Sequence, residues 1–143
     1  MAYFPFFVDI KNKKFLVVGG GKTALRKIKT LVGFGCECIV IAPQINEEIY
    51  SFASFAENRN FEEKDLENID FAVAATDDKM LNKKIACLCR NKKIPINSVT
   101  DFNDCDFVFP AVYRNKDVVV GISTGGKSPF AAAKIRRNIE KAL

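Results

Sequence analysis

A chain of 143 residues with 48% apolar and 27% charged side chains can build one full core, and its balance is that of a globular protein rather than a disordered or fibrous one. It contains no histidine, which excludes Ser-His and Cys-His nucleophilic pairs, His-ligated zinc and a His general base, and leaves acid-base work to carboxylates, Lys, Tyr or Cys. The net charge of +5 suits an anionic partner, whether nucleic acid, a cofactor phosphate or a polycarboxylate, and does not choose among them; the basic residues are spread without a nucleic-acid motif, so no nucleic-acid partner is expected and a solvated basic surface is the plain alternative.

The opening from Met1 to Val8 is apolar, but Asp9, Lys11, Lys13 and Lys14 follow at once. That pattern fits neither a signal peptide nor a membrane span and leads us to expect a cytoplasmic protein with no membrane partner. Phe15-Leu16-Val17-Val18 is a short apolar run ending in three glycines, and Lys22 to Phe34 carries apolar residues at helical spacing before Gly35. The order predicted is strand, tight turn, helix, stop. Cys38 to Ile41 reads as a second buried strand ended by Pro43, and Ile45 to Ala56 as a helix with Glu47 and Glu48 on its polar face. Asn60 to Lys64 reads as a short strand. Phe71 to Ala75 is a continuous apolar run of the kind found inside parallel sheets, and Thr76-Asp77-Asp78 can cap a helix from Lys79 to Asn91.

Ile94 to Ser98 gives a fifth strand, with Pro95 near its beginning. Such alternation predicts an α/β fold, a Rossmann-type doubly wound parallel sheet. The pattern then changes. Phe107-Val108-Phe109 and Val118 to Ile122 read as strands joined by a turn at Arg114 to Asp117, and Ser128-Pro129 opens a basic helix running to the C-terminus. The expected division is therefore a dinucleotide-binding domain over 1–110 and a short β-β-α segment over 111–143.

Gly19-Gly20-Gly21-Lys22-Thr23-Ala24 fits G-x-G-x-x-A directly after a strand and before a helix, the context that the dinucleotide fingerprint requires. The missing side chains at Gly19 and Gly21 let backbone amides approach a pyrophosphate, with Lys22 and Thr23 beside it. The acidic residue expected about 20 positions further on is absent, because the sequence there is Ala42-Pro43-Gln44. Gln44 or local backbone takes its place, and with no adjacent arginine to meet a 2′-phosphate the cofactor expected is NAD. Thr76 and Asp77 should project from the carboxyl edge of the sheet, where ligands bind in open α/β folds; helix capping is the alternative for Asp77 and Asp78. Cys36, Cys38, Cys87, Cys89 and Cys105 form an odd set with Cys-x-Cys spacing, which fits reduced core thiols better than a zinc site. No resident metal is expected.

Tyr3-Phe4-Pro5-Phe6-Phe7, the run GGGKTALRK from Gly19 to Lys27, Ala74 to Asp78, Cys105 to Ala111 and the run ISTGGKSP from Ile122 to Pro129 are collinear and span nearly the whole chain. On these motifs the chain resembles the precorrin-2 dehydrogenase/sirohydrochlorin ferrochelatase family, which includes the N-terminal module of siroheme synthase. The resemblance implies a homodimer with a Rossmann domain and a C-terminal dimerisation segment. It also implies NAD-dependent oxidation of precorrin-2 to sirohydrochlorin in siroheme biosynthesis and, in bifunctional members, insertion of ferrous iron. Carried over by position, Lys22, Thr23, Pro43 and Gln44 touch the cofactor, and Ser123 and Thr124 lie near the substrate cleft, although both hydroxyls can equally form a turn.

Two departures stand out. The family places a functional aspartate three residues after the position of Asn97, but here that residue is Thr100, with Asp101 following. Either Asp101 takes the role of catalytic carboxylate or the role is unfilled. Relatives also continue beyond the final helix, into a region on which dimerisation and chelation draw. The competing reading is a non-catalytic dinucleotide-sensing or tetrapyrrole-binding module.

Overall fold

The computed structural model describes residues 3–143. The chain divides into two units, Asp9–Val108 on the one hand and residues 3–8 with Phe109–Leu143 on the other.

The larger unit holds five strands, β1 (Lys14–Val18), β2 (Glu37–Ala42), β3 (Phe55–Asn58), β4 (Phe71–Ala74) and β5 (Ile96–Ser98), all parallel in the order β3-β2-β1-β4-β5. Helix α1 (Lys22–Gly33) joins β1 to β2, and α2 (Lys79–Lys92) joins β4 to β5. The two connections run outward from the centre in opposite directions, so right-handed crossovers place the helices on opposite faces. Alternation along β1 shows this in the packing. Leu16 and Val18 join a buried cluster with Ile85, Ala86 and Cys89 of α2, which leaves Phe15 and Val17 for the face toward which α1 turns Ala24, Leu25, Ile28 and Leu31. The central strands are buried on both faces, which is why they read as unbroken apolar runs. The Rossmann-type fold expected from the sequence is the fold observed.

Three expected elements are corrected. The stretch from Ile45 to Ala56 is not a helix but a single 3₁₀ turn, Glu47–Ser51, followed by β3. Asn46 caps the turn by accepting from Glu48 N, the Ser54 hydroxyl bonds the Cys38 carbonyl, and the outer edge of β2 recruits Phe55–Asn58 as a strand. Ile45, Ile49 and Ala56 mimic helical spacing, but only Ile49 is buried, and pairing an open sheet edge overrides the pattern. The strand expected over Asn60 to Lys64 gives way to a second 3₁₀ turn, Glu63–Leu66, held by a capping box between Glu62 and Asp65. Phe107-Val108-Phe109 is not a strand either. Its place is taken by Ala111–Asn115, after Pro110, whose ring nitrogen cannot donate to a ladder.

Segment 105–107 instead closes the outer edge of β5. Asp106 gives its N–H to the Ile96 carbonyl at 2.8 Å and takes the Ile96 N–H on its carboxylate at 3.1 Å. The Cys105 sulfur does the same with Ser98, accepting from its N–H and donating to its carbonyl, both at 3.2 Å.

In the smaller unit, β6 (Ala111–Asn115) and β7 (Val118–Ile122) form an antiparallel hairpin across the two-residue turn Lys116-Asp117, with Lys116 at φ 50°. Helix α3 (Pro129–Ala142) starts at Ser128, whose hydroxyl accepts from Ala131 N, and packs on the hairpin through the buried Ala132. This is the β-β-α segment read from the sequence. Among the described residues no helix is long and apolar enough to cross a membrane.

One charge sits awkwardly in the larger unit. Burial of the Lys27 amine in α1, reinforced by neighbouring Arg26 and partly offset by Cys105, lowers its pKa from 10.5 to about 8. The unfolded chain keeps that proton to about 10.5 while the folded chain releases it near 8, so over this window the unfolded state binds more protons and stability rises with pH. Lys27→Met removes this titration and leaves those of the cysteines. Its stability relative to wild type, read from urea unfolding, should therefore decline as pH climbs from 8 to 10.5; a difference independent of pH contradicts the assignment.

Candidate functional site

The turn after β1 is built from backbone meeting backbone. A Cβ on Gly19, which lies at φ +133°, would stand 2.3 Å from the Ala75 carbonyl oxygen, and one on Gly20 would stand 2.1 Å from that of Gln44. Asn46 N donates to the Gly20 carbonyl at 2.7 Å. The ends of β1, β2 and β4 are thus drawn into contact where no side chain fits.

Gly21 is different. Its backbone is extended, at φ −91° and ψ −166°, and a Cβ there would meet nothing within 4 Å. It is the N-cap of α1, yet no side chain caps the helix and its first turn has no acidic residue. The first N–H groups of α1 therefore face open space with the positive end of the helix dipole behind them, an arrangement that binds phosphate. Lys22 and Thr23 are exposed on that turn. These residues fit a dinucleotide pyrophosphate.

Pro43 and Gln44 are exposed on one flank of the turn. Outside them Asn58, at the end of β3, accepts the Tyr50 hydroxyl at 2.5 Å and reaches the Pro43 carbonyl at 3.5 Å. Arg59 follows, with its N–H on the Ala42 carbonyl. Its guanidinium is held by Asp65 at 2.6 and 2.9 Å and by Glu57 at 2.9 Å. The same pair holds the Asp65 carboxyl below its ordinary pKa, chiefly through the hydrogen bond from Arg59.

Thr76 and Asp77 stand on the other flank, after β4. The exposed Asp78, rather than Asp77, caps α2, accepting from Met80 N at 2.9 Å and Leu81 N at 3.1 Å. Asp77 is exposed. The Thr76 hydroxyl turns inward to the Asn82 amide oxygen at 2.6 Å. Asn82 is fully buried and was not among the residues singled out from the sequence. The available signal was its place on the stripe Asn82, Ile85, Ala86, Cys89, where a polar side chain at core spacing needs a partner.

Beyond β5, the Thr100 hydroxyl lies 3.3 Å from both the Asn82 amide nitrogen and the Ser98 hydroxyl. Asp101 is exposed and caps a short turn through Asn103 N at 2.8 Å. Asp104 is buried beside Arg90, and Asp106 is spent on the Ile96 amide. The glycine turn, Pro43, Gln44, Thr76, Asp77 and Asp101 thus share one carboxyl edge of one sheet.

Ser123 and Thr124 belong to the smaller unit, where with Tyr3, Gly125 and Lys127 they line an open cleft of about 400 Å³. The Ser123 hydroxyl accepts from Gly125 N, while that of Thr124 both accepts from the Ser128 N–H and donates to its carbonyl. Both hydroxyls form turns, and that of Ser123 remains exposed.

All five cysteines are free, with Cys36, Cys38 and Cys89 buried and Cys87 exposed. Burial pushes the Cys89 thiol up to about 12, as suits an inert core residue. Among the described residues no three His, Cys, Asp or Glu side chains gather as a metal site.

The family model described as NAD(P)-binding matches residues 6–111. The chain belongs to that family. A second model, described as the central part of a sirohaem biosynthesis protein, matches residues 120–142. Siroheme synthases of Psychrobacter arcticus and Nitrosococcus oceani are 37% and 34% identical to the whole chain, which spans 27% and 31% of their respective lengths. A solved structure titled SirC, precorrin-2 dehydrogenase, superposes with a TM-score of 0.74 at 28% identity over 99% of this chain and 71% of that one. A glycerate dehydrogenase related protein from Thermoplasma acidophilum, 15% identical with a TM-score of 0.50 over 75% of the chain, shares the fold alone. The resemblance to siroheme-pathway proteins read from the motifs is borne out.

The open space at Gly21 gives a clean test. Gly21→Ala should leave thermal stability nearly unchanged, since nothing lies within 4 Å of the new methyl group, but weaken binding of a nicotinamide dinucleotide by at least about tenfold, because the methyl group fills the cradle. Calorimetric titration beside a thermal melt decides; unimpaired binding rules out this cradle.

Proposed function

We propose that this chain oxidises precorrin-2 to sirohydrochlorin in siroheme biosynthesis, with NAD as hydride acceptor. The observation that carries the reading is the uncapped N-terminus of α1 beyond Gly21, facing the edge on which Thr76, Asp77 and Asp101 also stand. The similarity to SirC over nearly the whole chain supports the same reading.

In the proposed site the α1 amides and Lys22 hold the pyrophosphate, with Thr23 beside it, and Gly19 keeps the turn tight. Pro43 and Gln44 flank the adenosine, and Thr76 and Asp77 border the nicotinamide half. The reaction removes two electrons and two protons from the substrate. Bound NAD would supply the acceptor for one of those protons together with both electrons, as hydride. Asp101 takes the other on its carboxylate, which keeps an oxygen clear of its single capping bond. Ser123 and Thr124, with Lys127 nearby, suit the substrate's carboxylates.

NAD is preferred to NADP in this reading because Arg59, a cation next to the β2 end, already gives its guanidinium to Asp65, Glu57 and the Asn60 carbonyl, which disfavours a bidentate grip on a 2′-phosphate. We place the protein in the cytoplasm as a homodimer formed through the smaller unit, whose Phe4, Phe6, Phe7 and Phe130 are 74–80% exposed and offer apolar surface for a second copy to cover. The alternative, a module that senses the dinucleotide without turnover, draws on the inward-turned hydroxyl of Thr100 at the position of the family's aspartate.

Anaerobic incubation with precorrin-2 and NAD, followed by visible spectroscopy, tests the proposal. Sirohydrochlorin should form only with enzyme and a nicotinamide dinucleotide together, faster with NAD than with NADP. Asp101→Asn, which can still cap the turn, should slow it by roughly a hundredfold or more. Binding of NAD with precorrin-2 left unchanged would favour the sensing module.

A further inference from the structure

The backbone ladder between β4 and β5 has a definite end. Its last bond runs from Val99 N–H to the Ala74 carbonyl at 3.0 Å. With Ala74 opposite Ser98 in the register, Thr76 and Thr100 are equivalent positions, each two residues past its strand.

One side chain ties this pair together. The Asn82 amide nitrogen donates to the Thr76 carbonyl at 3.0 Å and to the Thr100 hydroxyl at 3.3 Å, while its oxygen accepts the Thr76 N–H at 3.2 Å and the Thr76 hydroxyl at 2.6 Å. The Thr100 hydroxyl is steadied in turn by that of Ser98 at 3.3 Å. Asn82 is fully buried, so water cannot take over any of these bonds, and a buried amide left half-paired is costly. Asn82 therefore extends the sheet by one more rung exactly where the backbone stops doing so, and joins two loops that carry Asp77 and Asp101 at their tips.

We infer that Asn82, acting through Thr100, is a positioning residue that fixes the gap between the β4 and β5 loops for the nicotinamide half of the dinucleotide. The inference rests on the cofactor reading above. The pyrophosphate at the central β1 turn divides the sheet edge, with the β2 and β3 ends on the adenosine side and the β4 and β5 ends on the other. A clamp confined to the second pair should act on one half of the ligand only.

Removing Asn82 itself strips four bonds from the interior and can unfold the chain. The decisive variant is Thr100→Val, which keeps the shape and the Thr76 bonds while breaking the link between the loops, with Thr100→Ser as the conservative control. Calorimetric titration of the full chain with NAD and, separately, with ADP reads the effect. We expect Thr100→Val to weaken NAD about tenfold while ADP stays within about twofold, and Thr100→Ser to hold NAD within about twofold of wild type. Equal weakening of both ligands marks a merely structural role, and unchanged NAD binding removes the role altogether; either overturns the inference. Wild type that binds neither ligand defeats the cofactor reading itself, a failure visible before any variant is compared.

Discussion

Where β1, β2 and β4 end, their backbones come together with no room for a side chain between them. The Gly19 Cα faces the Ala75 carbonyl and the Gly20 Cα that of Gln44, at separations that an added methyl group would reduce to 2.3 and 2.1 Å. The rest of the site follows from this contact. It aims α1 at the sheet edge with bare N–H groups leading, and it holds the loops after β2 and β4 close enough to act as two walls of one crevice. Bulk at Gly19 or Gly20 displaces those walls, whereas bulk at Gly21 leaves them in place and obstructs only what lies between them.

Charge is arranged to complement this geometry. The leading turn of α1 carries Lys22 and no acid, while the acids stand further along the edge at Asp77 and Asp101. An anionic ligand centre therefore meets positive potential in the middle of the edge, and carboxylates await beyond it, on the side of β4 and β5. Nearby, Arg59 is paired with both Asp65 and Glu57, so its positive charge is neutralised locally and withdrawn from the crevice. Much of the protein's net charge of +5 is thus left to more distant surface, where it can draw in an anion without fixing its orientation.

Elements with a private signal were legible in the sequence. β1, β2 and β4 are apolar runs because both their faces are covered, α1 and α2 have helical stripes, and the glycine turn requires its residues sterically. What misled was any segment whose fate depends on a neighbour. Phe55–Asn58 is a strand because β2 offers it an edge, and Phe107 is irregular because the Asn97 amide takes its carbonyl at 3.0 Å; neither fact is local. The same holds in the candidate site. Lys22 and Thr23 are read from the glycine motif and Pro43 and Gln44 from their position in the resembled family, but Asn82 bonds residues 6 and 18 positions away, and no spacing in one dimension announces such a link. Asp78 as a cap was readable, since capping is a matter of the next three residues.

The outer edge of β5 has a consequence for how the molecule breathes. An edge strand ordinarily offers its outward N–H groups to solvent, or to any other strand that comes along. Here the outward N–H groups of Ile96 and Ser98 are occupied by the Asp106 carboxylate and the Cys105 sulfur, both from a segment too irregular to recruit a further strand. The amides of this three-residue strand should accordingly exchange their hydrogens with water as slowly as those of the interior, and the sheet should resist swapping or growth on this side. The loop bearing Asp101 is then anchored at both its ends, by β5 before it and by the sealing segment after it, so that mobility near the crevice is confined to the few residues in between.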